Sequence, residues 1–172
     1  MMLDLPFFAM IDTSVFLCRV GDKSCDAEAP ACIDFCNRMV KGGRRLYVSA
    51  PTITEVTRFK GIAVPKIQGI TVIAFDTIAA TELGMKMPIE ALKKWRDEMG
   101  REFGHIKYDA LIVGCALRVP GCAFVGMDKG QRALASRVGL SAHHPNEFYV
   151  EPKPARPTAP LQLPLAGPAV EI

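Results

Sequence analysis

Short unbroken apolar runs along this chain are each followed by a stretch whose apolar positions repeat every three or four residues, the pattern of buried strands alternating with amphipathic helices. "FFAMI", residues 7–11, reads as a first buried strand, and "TSVFLCRV" starts a helix behind it. Over residues 26–40 the positions Cys32, Cys36, Met39 and Val40 keep helical spacing, and Gly42 and Gly43 supply a stop. "LYVSA" is a second strand, followed by a helix over "PTITEVTRF" whose proline suits a first turn. "ITVIAF", residues 70–75, is a third strand, and Asp76 caps a helix over "DTIAATELGM". Pro88 opens another helix with Ile89, Leu92, Trp95, Met99 and Phe103 on one side, broken by "GHIK". "YDALIVGCALRV" is helical and nearly all apolar, hence central; "CAFVG" is a last short strand, and "KGQRALASRVG" closes with a helix. The alternation predicts an α/β fold, a three-layer sandwich with a mostly parallel central sheet flanked by helices.

Composition changes this picture at one end only. At 172 residues, 49% hydrophobic and 23% charged, the chain suits one domain with an ordinary core. After Tyr149, however, six prolines fall among the last 22 residues. The expectation is therefore a domain over residues 1–150 and an extended or polyproline-like tail over 151–172. The tail's Leu161, Leu163, Leu165, Val170 and Ile172 offer apolar contacts to a partner or to the domain itself. The opening "MMLDLPFFAM" has an acid and a proline where a secretion signal carries basic residues, and no run of about 18 apolar residues exists to span a membrane. A cytoplasmic protein is expected. Its six cysteines, Cys18, Cys25, Cys32, Cys36, Cys115 and Cys122, should then stay reduced and pack as small apolar residues. A zinc knot from the first four lacks the paired C-x-x-C spacing such sites use.

The formal charge of +3 permits a polyanionic partner without requiring one. More telling is where the acids fall. In an open α/β sheet functional groups gather beyond the carboxyl ends of the strands. Asp12 and Asp128 each follow a strand, Glu55 lies in the first turns of the helix after strand two, and Asp109 starts the central helix. Each has a plain structural use as a helix cap, first-turn acid or turn residue. Together they put four acids from separate segments on one rim. Carboxylates about 4 Å apart repel by roughly 4 kcal/mol per pair at an effective dielectric of 20, so a gathered set needs a cation. Hard oxygen donors without clustered histidine or thiolate suit Mg²⁺ or Mn²⁺, and such an ion activates water for hydrolysis of a phosphodiester.

The motifs "IDTSVFL", "TITEVTR", "YDALIVGCA" and "VGMDKG", in that order over residues 7–148, resemble the PIN-domain ribonucleases and, among them, the VapC-type toxins. The resemblance implies a metal pocket made by Asp12, Glu55, Asp109 and Asp128, an RNA substrate, an antitoxin protein as partner, and a homodimer. Thr13 and Ser14 stand where the family commonly has hydroxyl or amide groups that order the pocket. One position departs from the pattern: two residues before the last aspartate the family often has threonine or serine, and this chain has Gly126.

Asp76 lacks the neighbours of a phosphoacceptor site, since Asp12 stands alone after the first strand and Lys129 follows another acid, and Ser14 stands where a haloacid-dehalogenase-type phosphatase needs its second aspartate. Lys41, Arg44, Arg45, Arg58, Lys60 and Lys66 are available to hold phosphates beside the pocket. His105, His143 and His144 read as loop residues without matching carboxylates. The expected function is a metal-dependent endoribonuclease, with Asp12, Asp109 and Asp128 as main ligands and Glu55 binding a second ion or orienting water. The alternative is a degenerate PIN-like module that binds RNA or protein without cutting.

Overall fold

The computed structural model describes residues 3–20, 27–60 and 68–149. Among these residues five strands, β1 (Phe8–Ile11), β2 (Arg45–Ser49), β3 (Ile70–Ile73), β4 (Ala123–Val125) and β5 (Ser141–His143), form one sheet in the order β3-β2-β1-β4-β5. Every pairing is parallel. The chain moves outward from β1 to β3 and then returns to lay β4 against the other side of β1. That reversal sits between β1 and β4, where parallel α/β sheets open a crevice at their carboxyl ends.

Among the described residues seven α-helices cover the two faces: α1 (Thr13–Arg19), α2 (Ala29–Lys41), α3 (Ala50–Lys60), α4 (Thr77–Lys86), α5 (Ile89–Met99), α6 (Phe103–Leu117) and α7 (Lys129–Arg137). β1 is apolar along its length because it is buried on both sides. Met10 packs into a core with Leu83, Trp95, Ile106, Val113 and Leu134, while Ala9 and Ile11 face a second core with Val15, Phe16, Phe35, Met39 and Val56. The three-layer sandwich expected from the alternation is the fold observed. Among the described residues no helix is long and apolar enough to cross a membrane.

Several expectations need correction. "GHIK" does not break a helix; the break comes earlier, at Gly100, whose φ of 61° ends α5, and α6 begins at Phe103. Phe103 and His105 are therefore α6 residues. Asp109 is consequently not at a helix start but in the middle of α6. The fifth strand, Ser141–His143, was not expected: "SAH" has no apolar run, since an edge strand three residues long needs little burial. His143 and His144 do have acidic partners, Glu147 at 3.0 Å and Glu28 at 3.2 Å. The helix expected over 26–40 begins at Ala29, with Pro30 in its first turn.

Cys18, Cys32, Cys36, Cys115 and Cys122 are buried, and burial pushes the Cys36 and Cys122 thiols up to about 12 and that of Cys115 to about 11. Thiols so far from thiolate are poor nucleophiles and poor metal ligands. Cys25 and the proline-rich residues 151–172 lie outside the described residues, as does Lys66.

Candidate functional site

The acidic rim is built by helix starts. β1 ends at Ile11, and Asp12 caps α1 through a 2.7 Å hydrogen bond from the Val15 amide to Oδ1. Its other oxygen, Oδ2, accepts from the Met127 amide at 2.7 Å and the Asp128 amide at 3.4 Å, across the reversal between β1 and β4. Asp12 is thus fully buried with both oxygens held by backbone. Burial outweighs those hydrogen bonds and the nearby Asp128 charge adds to it, so its carboxyl is pushed up to about 6.

Gly126 explains how Asp12 fits. A Cβ there would lie 2.5 Å from Asp12 Oδ2 and 2.9 Å from its carboxyl carbon. The departure at this position therefore clears the space Asp12 fills, and a serine or threonine would collide with a carboxylate pinned from both sides.

Asp128 caps α7, its Oδ1 accepting from the Gln131 amide at 2.8 Å. Its Oδ2 receives Arg101 Nη2 at 2.9 Å, and Arg101 Nη1 lies 3.4 Å from Asp109 Oδ2. Gln131 Nε2 donates to Asp109 Oδ1 at 2.7 Å. Asp109 and Asp128 are therefore bridged twice, once by the Arg101 guanidinium and once by Gln131 in the first turn of α7. Burial works against the charge on Asp128, yet Arg101 and the amides of Gln131 and Gly130 hold its carboxyl below the ordinary value. For Asp109 burial prevails over the Gln131 hydrogen bond, and its carboxyl is raised.

Glu55, in the second turn of α3, accepts a hydrogen bond from the Thr13 hydroxyl beside Asp12. Thr13 also lies 3.4 Å from the Thr52 hydroxyl, which is 2.9 Å from Ser49 Oγ; Ser49 in turn accepts from the Thr52 amide and caps α3. Ser14, half-buried, is the second residue of α1. The four predicted acids thus stand on one rim in two hydrogen-bonded sets, Asp12 with Asp128 and Asp109 in one, and Glu55 with Thr13, Thr52 and Ser49 in the other. They do not form a chelating group: among the described residues no three acidic, histidine or cysteine side chains stand together as a metal site would require. The cation between Asp109 and Asp128 is Arg101, and a divalent ion does not fit the donor set as it is held.

A cleft of about 480 Å³ opens beside the rim between α3 and α6, lined by Glu55, Arg58, Arg101, His105, Tyr108 and Asp109. Tyr108 donates to the Pro51 carbonyl at 2.8 Å and ties the two helices together. Of the basic residues singled out from the sequence, Arg58 reaches this cleft. Arg44 and Arg45 stand at the amino end of β2, beyond the opposite edge of the sheet, where Arg44 covers the Phe7 ring at 4.9 Å.

Sequence reasoning missed Arg101, Gln131, Ser49 and Thr52. Gln131 had a signal, since a glutamine three residues after an N-cap acid is capping-box spacing. Arg101 had none, because its partners lie 8 and 27 residues away.

No family model matches the chain, and no curated protein matches it either. Among solved structures, one chain from the crystal structure of VapBC2 from Rickettsia felis, bound to a DNA fragment from their promoter, superposes with a TM-score of 0.53 at 14% identity. The match covers 80% of this chain and 98% of that one. At that identity the likeness carries the fold, a PIN-like α/β sandwich, and the chemistry has to be argued from the side chains.

Proposed function

We propose that this chain is a PIN-like module that binds single-stranded RNA in the cleft between α3 and α6, and that it does not cut in the conformation described. The observation that carries this reading is Arg101, which claims the outer oxygens of both Asp109 and Asp128. Arg58 and Arg101 offer phosphate contacts and Tyr108 and His105 offer ring surface, the combination used for unpaired RNA. Anisotropy of a labelled oligoribonucleotide, titrated at several salt concentrations, tests the proposal. Arg58→Ala should weaken binding and lower the salt slope by about 1, as loss of one phosphate contact does. Wild-type protein that leaves the oligonucleotide free at low salt would remove the reading.

A second reading has its own support: the four acids share one rim, and Gly126 is shaped around Asp12. On it the chain is a Mg²⁺- or Mn²⁺-dependent endoribonuclease, with Asp12, Glu55, Asp109 and Asp128 as ligands and Thr13 and Ser14 ordering them. The resemblance of its four motifs to the VapC-type toxins adds a toxin role, an antitoxin protein as partner and a homodimer to that reading. Manganese-stimulated RNA cleavage that disappears in Asp12→Asn would establish it over the first.

A further inference from the structure

We infer that Arg101 is an internal counter-ion of the acidic rim: its guanidinium holds Asp109 and Asp128 in the place a divalent ion would have to take, and an RNA phosphate drawn onto that guanidinium would release them. Two carboxylates that share one rim need a positive charge, and the positive charge within reach of both belongs to the chain itself. The fork of Arg101 spans the pair unequally, at 2.9 Å to Asp128 and 3.4 Å to Asp109, so one guanidinium faces two formal negative charges.

A second observation points to a further group in the same place. Gln131 is 8% exposed, and while its Nε2 is used by Asp109, its Oε1 is buried with no hydrogen-bond partner among the described residues. Turning the amide over would set its oxygen against the Asp109 carboxylate, so the orientation is fixed by charge. An orphaned buried acceptor on the amide that binds Asp109 asks for a donor or a cation that Arg101 does not supply.

The guanidinium is also built to leave. Arg101 stands between α5 and α6, follows Gly100, has about one third of its side chain exposed, and lines the cleft as well as the rim. A phosphate in the cleft competes for the same donors that the carboxylates use, and bidentate arginine serves both. Gly130 leaves the docked guanidinium loosely enclosed, since a Cβ there would lie 3.2 Å from the Arg101 guanidinium carbon. RNA and a divalent ion would therefore bind cooperatively, through one side chain that changes partners. The phosphate half of this inference rests on the RNA-binding reading; the counter-ion half does not.

Calorimetric titration of the full chain with Mn²⁺ tests it, using wild type, Arg101→Gln, Arg101→Lys and the double variant Arg101→Gln with Asp128→Asn. Thermal melts check that each is folded. Arg101→Gln should bind Mn²⁺ roughly tenfold or more tightly than wild type, within the usual range of a coupling between sites. Arg101→Lys, a point charge without the fork, should fall between them, and the double variant should lose the gain. In wild type, a 2′-O-methyl oligonucleotide should raise Mn²⁺ affinity beyond what the oligonucleotide binds alone. Equal Mn²⁺ binding by wild type and Arg101→Gln overturns the counter-ion. A gain in Arg101→Gln with no oligonucleotide effect, while anisotropy reports bound oligonucleotide, overturns the exchange. No oligonucleotide binding at all overturns the RNA reading and leaves the Mn²⁺ comparison to decide the counter-ion.

Discussion

Asp12 carries a carboxylate solvated by three backbone amides in place of water, and burial still makes its charge costly. With a folded value of about 6 against an ordinary 3.8, the folded state holds this proton more tightly than the unfolded chain does. Between about pH 4 and pH 6 the folded state therefore binds more protons, and the contribution of Asp12 to stability falls as pH rises through that window. The melting temperature of wild type relative to Asp12→Asn should be higher at pH 4 than at pH 7, as differential scanning calorimetry would show. The neighbouring Gly126→Ala should cost about 1–3 kcal/mol, the usual penalty of overpacking, and lower the melting temperature by several degrees. The position of Asp12 was readable because an acid directly after a buried strand has few places to go. Its partners were not, because two of its three amides come from residues 127 and 128, and no local pattern announces a contact of that length.

The helices act through their ends. α1, α4 and α7 open on aspartates that accept a hydrogen bond from the third residue along, and two of those aspartates, Asp12 and Asp128, are also rim acids. Capping and the rim contacts are thus made by the same side chains. Asp128→Ala removes the cap of α7 and one of the two partners of Arg101. A loss of about 1 kcal/mol from the cap is expected, with faster amide exchange at Gln131 measured by hydrogen–deuterium NMR. The apolar positions of α6 made a central helix evident from "YDALIVGCALRV", yet its first turn was misplaced. Gly100, in the left-handed region, ends α5 earlier than the apolar stripe suggests, because Phe103 continues that stripe from the next helix. The start of α6 places Asp109 in mid-helix and leaves Arg101 between two helices, where it can turn toward the rim. β5 escaped notice for the opposite reason: a short edge strand has no second face to bury.

Across the molecule, the direction of the strands places these side chains: Arg44 and Arg45 stand where β2 begins, and Asp12 and Asp128 stand just beyond the ends of β1 and β4. The order and separation of the motifs carried that arrangement, since parallel strands send all their carboxyl ends to one rim. The pairing of a guanidinium with two of those acids depends on side-chain packing and could be seen only with the chain folded. The sheet also has a temporal consequence. Its middle strand is the first one made, and β1 waits for Ala123–Val125 before its second neighbour exists. Chains ending before residue 122 should show no cooperative melt by circular dichroism, whereas the full chain should. Because such late closure is entropically slow, a nascent chain keeps one flank of Ala9, Met10 and Ile11 uncovered until Ala123–Val125 have been made, a span in which chaperones have reason to attend it.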